Sequence, residues 1–179
     1  MRTFIAIDIP EEVKEKIIEI QKQLPEFKGK LTEKENLHLT LKFLGEVNEE
    51  KIERVKEELG KIKLKSFKAE IDSIGVFDNI ESKNYSSKLI VWLHVKNCNE
   101  LQKKIDNQFF KLFARERRFM GHLTIARIKK IKDKKKFLEE INKIKLSSMN
   151  FFVKSFELKK SVLTEQKPVY ETLESYNLN

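Results

Sequence analysis

Leu37-His38-Leu39-Thr40-Leu41 and Gly121-His122-Leu123-Thr124-Ile125 are the segments of this chain whose residue types and spacing suit chemistry. Their histidines stand 84 residues apart, nearly half the chain. On a strand, side chains two apart point the same way, about 6.5 Å from one another. Each segment therefore predicts an imidazole beside a hydroxyl on one face, with Leu39 and Leu41, or Leu123 and Ile125, turned to the core. General acid–base work suits such a pair. One imidazole takes a proton from water while the other gives one to a leaving oxygen, near the pH where histidine titrates. Threonine hydroxyls can donate to non-bridging phosphate oxygens, whose charge grows in the transition state. In-line displacement at phosphorus places attacker and leaving group on opposite sides, and a cleft with one histidine from each half supplies that geometry.

Other chemistries fit less well. Zinc normally takes three or four protein ligands, and two histidines with no cysteine pair or motif carboxylate fall short, so neither a metal nor another cofactor is expected. No nucleophile elbow is present, and Cys98 lies outside both motifs. Period-2 counting puts Lys42 on the His38–Thr40 face, where it could approach a phosphate or stand in solvent at the strand end. Phe43 and Arg127 each follow a motif histidine by five residues, and the same count puts both on the opposite face. A bulge would redirect them, so that Arg127 could pair with phosphate and Phe43 could stack on a base. Without one they are a core phenylalanine and a surface arginine. His94 has no threonine two residues on and reads as structural, and Trp92 and Phe77 read as core. Tyr85, in a polar stretch, could touch a base.

The elements that must hold these residues follow from periodicity and punctuation. Thr3 to Ile9 reads as a strand, and Pro10 with Glu11 and Glu12 opens a helix that buries Val13, Ile17, Ile20 and Leu24 before Pro25. Leu37 to Leu44 alternates as a strand. Asn48 reads as an N-cap for a helix carrying Ile52, Val55 and Leu59. Phe67 to Phe77 and Lys88 to Val95 are expected strands joined by the polar stretch 78–87. A helix over Leu101 to Leu112, a strand over His122 to Ile128 and a helix over Phe137 to Ile144 follow. Phe151 to Leu163 and Val169 to Tyr176 close the chain as strands. With five glycines and three prolines in 179 residues there is no linker, so residues 1–179 are expected to form one α+β domain. The repeated motif, flanked by helices each time, predicts two similar lobes about a pseudo-twofold axis, sharing a cleft.

Composition bounds the function. With 40% apolar residues, and 13 phenylalanines among them, the chain has enough for a core, which excludes disorder. No apolar run approaches the length of a membrane span, and the start of the chain shows no secretory signal. A lone cysteine excludes an internal disulfide and fits a reducing, cytoplasmic setting. A monomer is expected, because no long apolar seam is left over. The formal charge of +9 favours a polyanion as partner, RNA first. Cations cluster at Arg115, Arg117 and Arg118, and again from Lys129 to Lys136, on either side of the second motif.

These residues resemble the two-histidine phosphoesterase superfamily, specifically the RNA 2′,3′-cyclic phosphodiesterases also called 2′-5′ RNA ligase-like proteins. The resemblance rests on 2–8, on Glu35-Asn36-Leu37-His38-Leu39-Thr40-Leu41-Lys42-Phe43-Leu44-Gly45, on 122–127, and on the closing 158–161 and 168–173. It implies a bilobal fold of two antiparallel-sheet lobes with helices outside and a central cleft. It implies metal-independent hydrolysis of RNA ends bearing a 2′,3′-cyclic phosphate to 2′-phosphates. By that resemblance His38 would protonate the departing O3′, His122 would activate water, and Thr40, Thr124 and Arg127 would hold the phosphate. The same site could join RNA ends, such as tRNA halves, through a 2′-5′ linkage. A small cyclic nucleotide as substrate and a non-catalytic RNA-binding module are the competing readings. One departure is Gly121, where a proline usually precedes the second motif; it is expected to loosen the start of that strand.

Overall fold

The structure, a computed structural model, describes residues 1–78, 89–163 and 168–179. Thus Tyr85 and most of the polar stretch 78–87 lie outside the described residues. Among the described residues nine strands and four α-helices follow one another as β1 (Arg2–Asp8), α1 (Glu11–Gln21), β2 (Lys28–Leu31), β3 (His38–Glu46), α2 (Glu49–Gly60), β4 (Phe67–Asp78), β5 (Leu89–Lys96), α3 (Asn99–Phe109), β6 (His122–Lys130), α4 (Lys134–Lys143), β7 (Met149–Val153), β8 (Ser155–Leu163) and β9 (Pro168–Asn177), with a 3-10 turn at Lys34–Asn36 before β3.

Two antiparallel sheets result. One has the order β3-β1-β8-β9, the other β2-β6-β5-β4-β7. Starting each from its motif strand, β3-β1-β8-β9 corresponds to β6-β5-β4-β7, which is the expected pseudo-twofold. Among the described residues β2 has no counterpart in the first sheet. Helices bury the apolar stripes their spacing predicts: Val13, Ile17 and Ile20 on α1, Ile52, Val55 and Leu59 on α2. Asn48 caps α2 as expected, its side chain accepting the Lys51 amide at 3.0 Å. One buried cluster runs through both lobes, joining Ile5, Ile7 and Leu39 to Leu93, Leu123 and Ile125.

Two expectations fail for physical reasons. The stretch 151–163 is two strands, because the chain switches sheets at Lys154: β7 pairs with β4 and β8 with β1. The strand β2 was not expected, since its four residues are all exposed and carry no apolar alternation to read.

Candidate active site

The ladders decide which residues share a face. In β1–β3, Asp8 pairs with His38, Ala6 with Thr40 and Phe4 with Phe43. Residues 8, 6 and 4 alternate on β1, so their partners point to one side despite the odd spacing between Thr40 and Phe43. Leu41 is the extra residue of a bulge. The second lobe repeats this: His94 pairs with His122, Trp92 with Thr124 and Ile90 with Arg127, with Ile125 as the extra residue. Both motif strands consequently bury the same positions in the same order, with histidine and threonine half-buried and the sixth residue exposed. Phe43, 68% exposed, and Arg127 thus stand on the histidine faces.

That bulge corrects the expected place of Lys42. Its ladder partner is Ile5, on the core face, and its side chain is 3% exposed. There Nζ donates to Asp106 Oδ1 at 2.5 Å and to the Ala114 carbonyl at 2.7 Å. Lys42 is therefore no phosphate ligand. It ties β3 to α3 and to the loop that leads to His122, because Asp106 also accepts the Glu116 amide at 3.1 Å.

Each imidazole is aimed by the same device. His38 Nδ1 lies 2.8 Å from the Asn36 carbonyl, and His122 Nδ1 lies 2.8 Å from the Met120 carbonyl, two residues back in both cases. A carbonyl only accepts, so Nδ1 carries the hydrogen and Nε2 is left for chemistry. His38 Nε2 lies 3.2 Å from Thr40 Oγ1. Asn36 is itself fixed, its amide donating to the Pro168 carbonyl at 3.1 Å.

Gly121 does not loosen its strand. A Cβ there would overlap the Val95 carbonyl oxygen, so the glycine allows β5 to approach, and its own carbonyl accepts the Val95 amide at 2.8 Å. The bulge carbonyl of Ile125, outside the ladder, is also satisfied: the Gln21 amide at 2.8 Å and the Thr32 amide at 2.9 Å both donate to it.

The surroundings of the two histidines differ. His38 packs against Phe4 and Tyr170, each ring centre 5.0 Å away. Burial pushes its pKa down to about 4, and the nearby Lys159, Arg127 and Lys14 add to that, against the Asn36 bond. Lys159 is buried under the site, bonded to Glu157 at 2.8 Å, Asp8 at 3.0 Å and Thr172 Oγ1 at 3.1 Å. Burial opposes its charge, but those carboxylates outweigh it and hold its pKa above the usual range. His122 instead meets Phe77 at 5.2 Å and Trp92 at 6.5 Å. These two rings, expected in the core, are half-buried and line the site. His94, expected to be structural, lies opposite His122, with Nδ1 bonded to Asp72 at 2.7 Å. Sequence reading gave no role to Lys159, Tyr170 or Gln21: the first two reach the site only through the pairing of distant strands, and Gln21 reaches it from the end of α1. No group of three or more histidine, cysteine or acidic side chains placed to hold a metal occurs among the described residues.

Two bulged strands, each offering an imidazole and a hydroxyl from equivalent lobes, define a two-histidine phosphoesterase. The family model described as LigT-like phosphoesterase matches residues 7–85 and 94–170, and the chain belongs to that family. It is 41% identical to the RNA 2′,3′-cyclic phosphodiesterase of Methanocaldococcus jannaschii over 98% of this chain and 100% of that one. The protein of the same name from Archaeoglobus fulgidus is 38% identical over 97% of this chain and 98% of its own length. Among solved structures, Escherichia coli LigT in complex with 3′-AMP superimposes with a TM-score of 0.77 and 26% identity, covering 99% of this chain and 97% of that one.

Proposed function

We propose that the protein hydrolyses RNA 2′,3′-cyclic phosphodiester ends to 2′-phosphates, without a metal, using His38 as general acid and His122 as general base. The observation that carries this reading is the matched pair of imidazoles, each latched at Nδ1 with Nε2 left for proton transfer. Similar proteins bearing the name RNA 2′,3′-cyclic phosphodiesterase support the substrate class. His122 Nε2 takes a proton from water as its oxygen bonds to phosphorus; the P–O3′ bond breaks, and His38 Nε2–H gives its proton to O3′. Thr40, Thr124 and Arg127 bind the non-bridging oxygens, and Phe43 stacks on the terminal base.

The low pKa of His38 bears on its role as an acid. In the free site it is neutral at pH 7. A bound cyclic phosphate brings negative charge against Lys159 and Arg127, which favours protonated His38, so substrate binding itself loads the acid. The test is a short RNA with a 2′,3′-cyclic phosphate end, incubated with EDTA and resolved into 2′- and 3′-phosphates. The reading expects a 2′-phosphate in EDTA, lost in His122→Ala. Turnover abolished by EDTA, or unchanged in the variant, would overturn it, and a joined product formed with a 5′-hydroxyl RNA would shift it to ligation.

A further inference from the structure

Beside Arg127 lies a strip of cations that the chemistry does not use. The ladder between β2 and β6 sets Lys30 opposite Arg127 and Lys28 opposite Lys130. Residues directly opposite one another share a face, and Lys28 and Lys30 alternate on β2, so all four stand on the face that carries His122 and Thr124. All four are exposed. Like charges directly opposite destabilise a ladder, and here both pairings are cation on cation. Among the described residues no carboxylate pairs with Lys28, Arg127 or Lys130, whereas Lys132 and Lys134 just beyond them are paired with Glu26 and Asp78. At Gly29 a Cβ would overlap the Arg127 carbonyl oxygen, so a glycine lets β2 press against β6 and brings the two rows of cations together.

Lysines on an edge strand commonly serve to discourage pairing with another sheet. That role asks for charge on β2 alone. It does not explain matching cations on β6, or why the strip begins at Arg127 on the site face.

We propose that Lys28, Lys30 and Lys130 bind the backbone phosphates of single-stranded RNA upstream of the cyclic end, leading the chain away from Arg127 along β2 and β6. From Thr124 to Lys130 the ladders take four steps, with Ile125 and Lys129 as bulge residues, a span of about 13 Å that is enough for a couple of extended nucleotides. A backbone track of this kind reads charge, not base identity. It also divides the work of the two lobes: β2, which has no counterpart in the first sheet among the described residues, gives the otherwise paired cleft a direction. The proposal rests on the cyclic-phosphodiesterase reading, and its test separates the two.

Wild type and K28E/K130E are compared on a 2′,3′-cyclic mononucleotide and on a ten-residue RNA ending in the cyclic phosphate, at several salt concentrations. K103E/K104E, on the exposed side of α3, makes the same charge change elsewhere. The expected result is a KM for the RNA raised about tenfold or more in K28E/K130E alone. Its salt slope should fall by about 1.4, that is roughly 0.7 for each phosphate no longer neutralised. The KM for the mononucleotide should move by less than about threefold. An RNA KM that is unchanged, or that rises no more than that of the mononucleotide or of K103E/K104E, overturns the track. Absence of turnover on either substrate by wild type would count against the enzyme reading instead. The track is then read by fluorescence anisotropy of the labelled RNA, which K28E/K130E must weaken about tenfold. Should the charge reversal impair folding, K28Q/K130Q serves, with a smaller shift of the same sign.

Discussion

The two lobes present their motif strands identically and surround them differently. In β3 and β6 the order of buried and exposed residues is the same, both bulge after the threonine, and both histidines are latched to a carbonyl two residues back. Behind those strands the symmetry ends. Opposite Thr40 stands Ala6; opposite Thr124 stands Trp92. Asp8 faces His38 where His94, held by Asp72, faces His122. The backbone thus repeats a geometry, and the side chains one strand away give its copies different surroundings. A symmetric reaction would need no such difference. An in-line displacement does, because one imidazole must hold a proton when the other does not.

The sharpest way to break this comparison is to remove each imidazole in turn. His38→Ala and His122→Ala should each lower turnover by roughly 10²–10⁴ while circular dichroism stays native. If only one variant lost activity, the lobes would not be partners in catalysis.

A second difference is structural. Position 42 and position 126 are equivalent, each following the bulge residue, yet one is a lysine paired with Asp106 and the other an alanine. Lys42→Ala leaves the Asp106 carboxylate, 11% exposed, without its cation and should cost about 3–5 kcal/mol in urea unfolding. The double replacement Lys42→Met with Asp106→Leu should recover most of that loss. If Lys42→Ala were neutral in stability and instead raised KM, Lys42 would bind phosphate after all.

The smallest effect sharpens the electrostatic contrast. The folded-state pKa of His38 is about 4, below the ordinary value of 6.5, so between those values the unfolded chain binds the extra proton. Stability owed to neutral His38 is therefore present above pH 6.5 and lost as pH falls towards 4. His38→Gln should flatten that part of the stability–pH curve. An unchanged curve would mean that His38 is not held neutral.

Much of this was legible in the sequence where a short-range rule applied. His38, Thr40, His122 and Thr124 follow from period-2 alternation, and the lobes from the repeat. Phe43, Arg127 and Lys42 are misplaced by that same rule, because a bulge leaves no mark in composition yet flips every later residue. Lys159 is invisible for a different reason: its own segment looks like any alternating strand, and only the pairing of β8 with β1, which sets it opposite Phe4, brings it beneath His38. Glycine misleads in the opposite direction. At 121 it suggests looseness, whereas the close approach of Val95 makes it a requirement.

The division of roles between the lobes is tested most directly by a substrate whose leaving group needs no acid. With sulfur in place of the bridging O3′ of the cyclic phosphate, departure as a thiolate requires no proton. On that substrate His38→Ala should regain most of the wild-type rate while His122→Ala stays impaired. Rescue of His122→Ala instead, or equal rescue of both, would contradict the assignment of His38 as the acid and His122 as the base.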